Sequence, residues 1–240
     1  MPDVPDRPIA RRAYERLAAG YDREGDTKPE NAYLERPATL SLVPDVDGAR
    51  VLDAGCGAGH LAVELNARGA AVVGLDASRA MLECARERVP DADFVRGDLE
   101  SDLPFGEGAL GGVASSLAFD YVADWERLFR DLRRVLGPGG WAVFSVQHPH
   151  ADFERYDDAR NYHERERVSE TWNAFGETVE VPSYRRPLAA MVNPPLEAGF
   201  RLDRVLEPTP TEEYRAANPE QYRHEMTHPR FLCLRFVAAG

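Results

Sequence analysis

Short apolar runs alternate with helix-like segments through the middle of this chain. The apolar runs predict β-strands near residues 50–54, 71–75, 93–97, 111–117 and 140–147. Helices are expected between them near 58–68, 78–89 and 124–136, and the last has the clearest apolar stripe, with Leu128, Leu132 and Val135 at helical spacing. Strands that alternate with helices in this way are typical of a parallel sheet, so the pattern predicts an α/β domain.

The segments on either side of this alternation follow other patterns. Two helical pieces are expected within residues 8–43, the second over 32–42, with a break between Asp22 and Asp26. Residues 148–186 are charged and aromatic, and we interpret them as an insertion after the fifth strand. A helix near 187–198, a strand near 200–206, a polar helical patch and a last strand over 231–236 complete the prediction.

The most informative stretch covers residues 51–59, which read VLDAGCGAG. We interpret it as a buried strand that runs into a glycine-rich turn and opens a helix. Such a turn lets a ligand approach backbone N–H groups at a helix N-terminus. Asp76 and Asp98 each end a further apolar run. Because parallel strands present ligand groups at their carboxyl ends, the sequence predicts a nucleoside-binding site at this edge of the sheet.

The glycine spacing distinguishes between nucleoside ligands. Gly55, Gly57 and Gly59 are spaced G-x-G-x-G, and His60 stands where a dinucleotide fingerprint has its third glycine. A pyrophosphate would be repelled by Asp53, two residues before the turn, which disfavours a nicotinamide oxidoreductase. S-adenosylmethionine carries an ammonium group that Asp53 would attract, directly or through water. Its carboxylate suits the N–H groups of the loop.

Two later carboxylates suit the adenosine half of the same ligand. Asp76 has the position expected to accept hydrogen bonds from both ribose hydroxyls, and Asp98 could accept one from the adenine amino group. Leu99 would then pack near the adenine ring. These residues favour S-adenosyl-L-methionine as the cofactor, with S-adenosyl-L-homocysteine as the product.

With these motifs the sequence resembles the class I S-adenosylmethionine-dependent methyltransferases, and most closely their small-molecule branch, methyltransferase type 11. The matching segments are residues 51–59, 73–78, 97–99, 103–105, 115–118 and 132–140. The resemblance is firm over 48–147 and weaker on both flanks. One departure is the pair Leu110-Gly111, where the family usually has Phe-Asp at the start of the fourth strand. That change bears on local stability more than on chemistry.

The resemblance implies a Rossmann-like α/β fold: a seven-stranded mixed sheet with helices on both faces, an N-terminal helical cap and a lid insertion after the fifth strand. The expected divisions are a cap over 1–47, a cofactor-binding core over 48–147, a lid or substrate insertion over 148–186, and the C-terminal part of the same α/β domain over 187–240.

The resemblance also implies which residues contact the cofactor. Besides Asp53, Gly55, Gly57, Asp76, Asp98 and Leu99, the expected set contains Tyr21, Ala54, Cys56, Gly59, Ala77, Met81, Ser115, Ser116 and Leu117. Tyr21 matches a family position that caps the cofactor. For Cys56 the simpler interpretation is a small residue packed beneath the ligand.

Methyl transfer is an in-line displacement at a sulfonium methyl group, so the protein mainly positions the acceptor and excludes water. A general base is needed only where the acceptor loses a proton. In this fold the end of the fifth strand lies beside the cofactor, and His148 is therefore expected as a base or an acceptor-orienting residue. Alternatively, His148 only fixes the turn before Pro149. Acceptor contacts are expected from Tyr33, Tyr121 and His150.

The amino-acid composition limits the kinds of partner that the protein is expected to bind. The net charge of −12 and the lack of a Lys/Arg cluster argue against nucleic acid. No apolar run approaches the length of a membrane span. Three cysteines without paired spacing are typical of a reducing cytoplasm, where we expect the protein to reside. We expect a small-molecule acceptor and a monomer or homodimer.

The sequence allows two further interpretations of function, a zinc protease and a non-catalytic binding protein. Residues 224–228 read HEMTH and match the zinc-protease pattern H-E-x-x-H, but Pro229 follows at once and residues 229–240 offer only Cys233 as a further ligand. No metal is therefore expected. A non-catalytic S-adenosylmethionine-binding protein that regulates a partner is the alternative of a different class.

Overall fold

The computed structural model describes residues 8–156 and 161–239 of the chain. Its strands are β1 Arg50–Ala54, β2 Ala71–Asp76, β3 Asp93–Arg96, β4 Leu110–Ser116, β5 Leu136–Gln147, β6 Glu166–Ala174, β7 Glu177–Arg185, β8 Phe200–Leu206 and β9 Phe231–Ala238. Seven of them form one sheet in the order β3-β2-β1-β4-β5-β9-β8. The first five run parallel, and β9 lies antiparallel to both of its neighbours. The predicted seven-stranded mixed sheet is thereby confirmed.

The helices are α1 Arg11–Glu24, α2 Arg36–Leu42, α3 His60–Ala67, α4 Arg79–Arg88, α5 Trp125–Val135, α6 Pro149–Arg155, α7 Ala189–Glu197, α8 Glu212–Ala217 and α9 Pro219–Glu225. A π-helical turn over Asn31–Glu35 leads into α2, and a 3₁₀ turn over Phe119–Tyr121 follows β4. The expected break at Asp22 lies further on, because α1 continues to Glu24.

Helices cover both faces of the sheet because alternate strand residues point to opposite sides. On β5, Phe144 packs in the cluster that contains Leu128 and Phe129 of α5. Its neighbour Val143 packs in the cluster that contains Leu61 and Leu65 of α3. Burying a side chain of this size stabilises the fold by roughly 1.5–3 kcal/mol. The two apolar layers hold the carboxyl ends of the parallel strands in fixed positions along one edge.

The start of β5 differs from the sequence prediction. The strand begins at Leu136, directly after α5, and not near residue 140. Leu136 pairs with Leu110, and the register then shifts so that Gly112 pairs with Trp141. Gly137, Pro138 and Gly139 occupy this irregular stretch, and their low strand propensity explains why the sequence did not predict it.

The insertion contains a β-hairpin formed by β6 and β7. Its two-residue turn, Phe175 and Gly176, has positive φ at both positions, as a type I′ turn requires. The turn lies against α1, where a Cβ atom at Gly20 would be only 2.1 Å from the carbonyl oxygen of Phe175. Phe175 packs with Ala13 and Leu17 of α1. The hairpin therefore rests directly on the N-terminal helix. Residues 157–160 of the insertion, 1–7 of the expected cap and 240 lie outside the described residues.

A buried carboxyl group joins the N-terminal segment to the sheet. Glu35, at the end of the π-helical turn, is fully buried. It accepts hydrogen bonds from the hydroxyls of Thr39 and Ser116, both at 2.8 Å, and from that of Ser145. Burial raises the pKa of Glu35, and the three hydroxyl donors oppose that rise. Because Ser116 and Ser145 lie on β4 and β5, these bonds fix α2 over the carboxyl ends of two strands.

Replacing Glu35 with Ala should lower the free energy of unfolding by about 2–4 kcal/mol, because three buried hydroxyls lose their acceptor. Glu35→Gln should cost less, since its amide oxygen still accepts. Urea denaturation measures both. The exposed Glu64→Ala on α3 is the matched control, expected to change stability by less than about 0.5 kcal/mol. Equal losses for Glu35→Ala and Glu64→Ala would contradict this role.

Candidate active site

A cavity of about 410 Å³ lies where the carboxyl ends of the strands meet the N-terminal helices and the hairpin. The strand ends and their loops contribute Gly55, Gly57, Asp76, Asp98, Ser116 and Gln147 to its wall. The N-terminal segment contributes Tyr14, Tyr21, Lys28 and Asn31, and the insertion contributes Arg155, Tyr156, Trp172 and Val181. Arg230 and Phe231 of the C-terminal part also line the cavity, so all four expected divisions of the chain contribute to its wall.

The glycine loop after β1 forms one wall. Gly55 and Cys56 donate their backbone N–H groups to the carbonyl oxygen of Leu75, at 2.8 and 3.0 Å, which ties the loop to β2. Gly55 has a φ of 77°, and a Cβ atom there would lie 2.3 Å from the Cβ of Ala118. Gly57 also has positive φ, and a Cβ there would meet only the ring of Tyr21, at 4.0 Å. The loop therefore exposes bare backbone beside Tyr21.

Asp76, at the end of β2, is held by the same loop. One carboxylate oxygen accepts from the N–H of Gly57 at 2.9 Å, and the other accepts from the N–H of Ser78 at 2.8 Å. Burial raises the pKa of Asp76, while these amide donors oppose the rise. Because a carboxylate oxygen can accept more than one hydrogen bond, Asp76 can still accept hydrogen bonds from hydroxyl groups in the cavity.

Asp53 lies beneath the loop and is 1% exposed. Neither of its carboxylate oxygens has a hydrogen-bond partner of normal geometry within the part of the chain that the structure describes. Burial, together with the nearby carboxylate of Asp76, raises the pKa of Asp53 to about 8, although the backbone N–H of Ala62 opposes the rise. A buried carboxylate without a partner destabilises the ligand-free protein. An ammonium group at the loop would supply the missing charge, so this feature fits S-adenosylmethionine.

Tyrosine side chains line the wall contributed by the N-terminal segment. The hydroxyls of Tyr14 and Tyr121 lie 2.6 Å apart, and the ring of Tyr21 stacks on His60 with centroids 5.6 Å apart. Burial raises the pKa of Tyr14, Tyr21 and Tyr121, which keeps all three as neutral phenols near pH 7. They offer aromatic surface together with hydroxyl donors to a bound molecule.

A buried carboxyl group also reaches the cavity near the tyrosine pair. Asp120 is 5% exposed and lies on the 3₁₀ turn after β4. It accepts a hydrogen bond from the backbone N–H of Gln147 at 3.0 Å. Burial raises the pKa of Asp120 to about 7, the carboxylate of Asp152 adds to the rise, and Arg186 opposes it. Asp120 can therefore exchange a proton near neutral pH.

Comparison with known proteins identifies the family. Residues 52–144 match the family described as Methyltransferase domain. The solved S-adenosylmethionine-dependent methyltransferase from Mesorhizobium loti is 29% identical, and the alignment covers 88% of this chain and 99% of that one with a TM-score of 0.70. Residues 52–144 therefore form a methyltransferase domain of the class I, S-adenosylmethionine-dependent kind. Its cofactor is S-adenosylmethionine, as the sequence predicts.

Two relatives of this methyltransferase that are named for an activity match about half of the chain. A malonyl-[acyl-carrier protein] O-methyltransferase from Erwinia pyrifoliae is 35% identical over 133 residues, which cover 54% of this chain and 50% of that protein. A trans-aconitate 2-methyltransferase from Paracidovorax citrulli is 38% identical over 118 residues, which cover 48% and 45%. The chain thus spans about half the length of each.

The structure brings many of the expected residues of the methyltransferase to the cavity wall. These are Tyr21, Gly55, Gly57, Asp76, Ala77, Asp98, Leu99, Ser116, Leu117 and, among those expected at the acceptor, Tyr121. Other expected residues lie behind the wall, namely Asp53, Ala54, Cys56, Gly59, Met81 and Ser115. Ser115 donates to the carbonyl oxygen of Ala54 at 2.7 Å, and Met81 packs against Ala18 and Ala58. These contacts support the loop from below.

The two expected histidines are placed away from the cavity. The Nε2 atom of His148 lies 2.9 Å from an oxygen of Glu207. The reason is strand alternation, since Gln147 lines the cavity and the next side chain points the other way. His150 lies on α6, mostly exposed, 3.4 Å from Glu154. This placement does not favour either histidine as a base or an acceptor contact.

Tyr33 also differs from the expectation. It packs with Leu34, Tyr214 and Phe231 and is absent from the cavity wall. The π-helical turn sets this orientation, because it places Asn31 toward the cavity and Tyr33 toward α8.

Several cavity residues were not predicted from the sequence. Asp120 lies in the 3₁₀ turn after β4, so a search of the loop beyond the carboxyl end of that strand could have found it. Trp172 and Tyr156 belong to the aromatic insertion, and no local sequence signal places them in the cavity. Their positions depend on the hairpin packing against α1.

The residues of the H-E-x-x-H pattern form contacts with one another and with a neighbouring arginine. The rings of His224 and His228 stack with centroids 4.2 Å apart, and Glu225 accepts from Arg230 at 2.7 Å. Within residues 8–156 and 161–239, no group of three or more His, Cys, Asp or Glu side chains is arranged to hold a metal ion.

Replacing Asp53 with Asn should stabilise the ligand-free methyltransferase at pH 8 by about 1–3 kcal/mol, because an unpaired buried carboxylate is removed. The folded-state pKa near 8 exceeds the unfolded value of about 3.9. Wild-type stability should therefore fall as the pH rises between these values, and the Asp53→Asn protein should lose much of that dependence. Urea denaturation at several pH values measures both.

The exposed Asp91→Asn is the matched control and should leave the pH dependence unchanged. A less stable Asp53→Asn protein at pH 8 would show that Asp53 is compensated within the fold, which contradicts its assignment as an uncompensated charge.

Proposed function

We propose that this methyltransferase transfers the methyl group of S-adenosylmethionine to a small-molecule acceptor held in the cavity between its cap and its lid. The observation that carries this proposal is the enclosure of the cavity. The hairpin rests on α1, and Tyr14, Asp120 and Trp172 line the same space as the cofactor loop. A cavity of about 410 Å³ suits a small ligand better than a macromolecular surface.

The cofactor roles follow from the contacts of each residue. Asp53 supplies the negative charge for the ammonium group, and the loop at Gly55 and Gly57 supplies N–H donors for the carboxylate. Asp76 accepts hydrogen bonds from the ribose hydroxyls. Asp98 lines the cavity, and one of its oxygens already accepts from the N–H of Glu100 at 2.8 Å, which fixes its carboxylate.

Residues on the cavity walls away from the glycine loop contact the methyl acceptor. S-adenosylmethionine supplies an electrophilic methyl group when bound. Tyr14 and Tyr121 position the acceptor beside it, and the hairpin excludes water. The methyl group would pass to the acceptor, and the sulfur would keep the electron pair of the broken carbon–sulfur bond. Where the acceptor loses a proton, Asp120 takes it, in place of the expected His148.

The named relatives are consistent with a small acceptor. One is named for O-methylation of malonyl-[acyl-carrier protein], in which a protein carries the small malonyl group, and the other for methylation of the small acid trans-aconitate. Among the described residues, no helix has the length and apolar character needed to cross a membrane. All three cysteines are free thiols, which supports a cytoplasmic location, and we retain a monomer or homodimer as the assembly.

Isothermal titration tests the cofactor site. S-adenosylmethionine and S-adenosylhomocysteine should bind and NAD should not, because Asp53 and the G-x-G-x-G loop oppose a pyrophosphate. Asp76→Ala should weaken both adenosyl ligands roughly ten- to a hundredfold by removing the ribose acceptor. Asp91→Ala is the control. Binding of NAD, or unchanged affinity in Asp76→Ala, would contradict the assignment.

Release of S-adenosylhomocysteine over a panel of phenols, quinone precursors, amines and carboxylic acids then distinguishes an enzyme from the regulatory alternative. Tight cofactor binding without turnover on any acceptor would favour a non-catalytic protein.

A further inference from the structure

Lys28 is the only lysine of the 240-residue chain, and its side chain lines the cavity. It lies between α1 and the π-helical turn. Its Nζ atom is 5.5 Å from the ring centroid of Trp172 and 5.3 Å from that of Phe175, both on the hairpin. Within the described residues, the ammonium group of Lys28 forms no hydrogen bond or ion pair, and its contacts are with aromatic faces.

The surroundings of Lys28 disfavour an isolated positive charge. Burial lowers its pKa, and the guanidinium groups of Arg155 and Arg230 lower it further. Both arginines line the same cavity. Three cations around one partly enclosed space repel one another, and the cavity walls weaken the screening by water. An anion in this space would relieve the repulsion.

Within the described residues no carboxylate forms an ion pair with Lys28, although Glu30 and Glu170 partly offset the fall in its pKa. Glu170 lies 3.7 Å from Arg155 and also accepts from the indole N–H of Trp172 at 3.0 Å. Arg230 donates to Glu225 at 2.7 Å. Glu30 lines the cavity and opposes the fall in the pKa of Lys28, but it forms no ion pair with it. The two arginines therefore have carboxylate partners, and Lys28 has none.

Asp120 is the remaining carboxyl group on the acceptor side of the wall. Its pKa of about 7 means that it carries only part of a negative charge near neutral pH, so it opposes an anion weakly. Asp76 and Asp98 belong to the cofactor end at the strand termini.

We propose that Lys28 binds a carboxylate of the methyl acceptor, so that the substrates are small carboxylic acids whose apolar part packs against Trp172. This inference rests on the proposed function and specifies its substrate class. A single free ammonium group matches one monoanionic carboxylate. A phosphate dianion would require further donors, and Arg155 and Arg230 are already paired.

The single lysine makes a direct test available. Reductive methylation with ¹³C-formaldehyde converts Lys28 to a dimethyl-lysine that keeps its charge and gives one side-chain NMR signal. The N-terminal amine also reacts, and its lower pKa distinguishes it. A Lys28→Arg sample, which lacks the lysine signal, confirms the assignment.

With S-adenosylhomocysteine bound, acetate, benzoate and succinate should each be tested against the matched amides acetamide, benzamide and succinamide. The carboxylates should shift the Lys28 signal and raise its pKa, and the amides should not. Phenyl phosphate should bind more weakly than benzoate; tighter binding of phenyl phosphate would overturn the carboxylate assignment in favour of a phosphate site.

Lys28→Met should weaken the best-binding carboxylate at least roughly tenfold while S-adenosylhomocysteine affinity stays unchanged, and Lys28→Arg should restore much of the loss. Arg201→Met, an exposed position on β8, is the control. A purely structural role of Lys28 against the hairpin would weaken acid and amide equally.

Besides tighter binding of phenyl phosphate, three further results would overturn the proposal. One is a Lys28 signal that responds to none of the carboxylates although S-adenosylhomocysteine binds. Another is equal response to acids and amides. The third is a shift of the Lys28 signal, together with a raised Lys28 pKa, when S-adenosylhomocysteine is added alone. That result would show that Lys28 binds the carboxylate of the cofactor. Failure of S-adenosylhomocysteine to bind would instead contradict the proposed function.

Discussion

Carboxyl groups buried at one edge of the sheet set the constraint on which this structure depends. Glu35, Asp53, Asp76 and Asp120 each lose hydration there, and each needs compensation. Glu35 receives three hydroxyl donors and anchors α2, and Asp76 receives two backbone amides and shapes the loop. Asp53 receives no such partner. The Asp53 carboxylate therefore destabilises the ligand-free protein, and a cationic group on the cofactor would remove this destabilisation. Cofactor binding is thereby linked to the free energy of unfolding.

Enclosure of the cavity depends on contacts far apart in the chain. The approach of Phe175 to Gly20 brings the hairpin onto α1, and the hydroxyl pair of Tyr14 and Tyr121 joins α1 to the turn after β4. The carboxyl ends of the strands alone would form an open crevice. With the hairpin and α1 in place, polar groups from all three regions face one small space, where weakened screening strengthens their interaction with a ligand.

The sequence predicts the core well because its signals are local. The strand alternation and the G-x-G-x-G spacing each extend over a few residues, and they identified β1, β2 and the loop. Features that depend on distant packing leave weaker signals in the sequence. The end of β5 predicts His148 as a site residue, whereas the structure places Gln147 at the cavity and His148 beside Glu207. Trp172 and Lys28 became cavity residues only through the hairpin, whose charged and aromatic strands show no clear apolar alternation.

A crystal structure with S-adenosylhomocysteine bound would locate the cofactor and the reacting sulfur in the cavity. We expect the ribose at Asp76, the amino group on the Asp53 side of the loop, adenine beside Leu99, and sulfur facing the space between Tyr14, Tyr121 and Asp120. A ligand bound outside this cavity would contradict this expectation, as would a sulfur atom separated from that space by the hairpin.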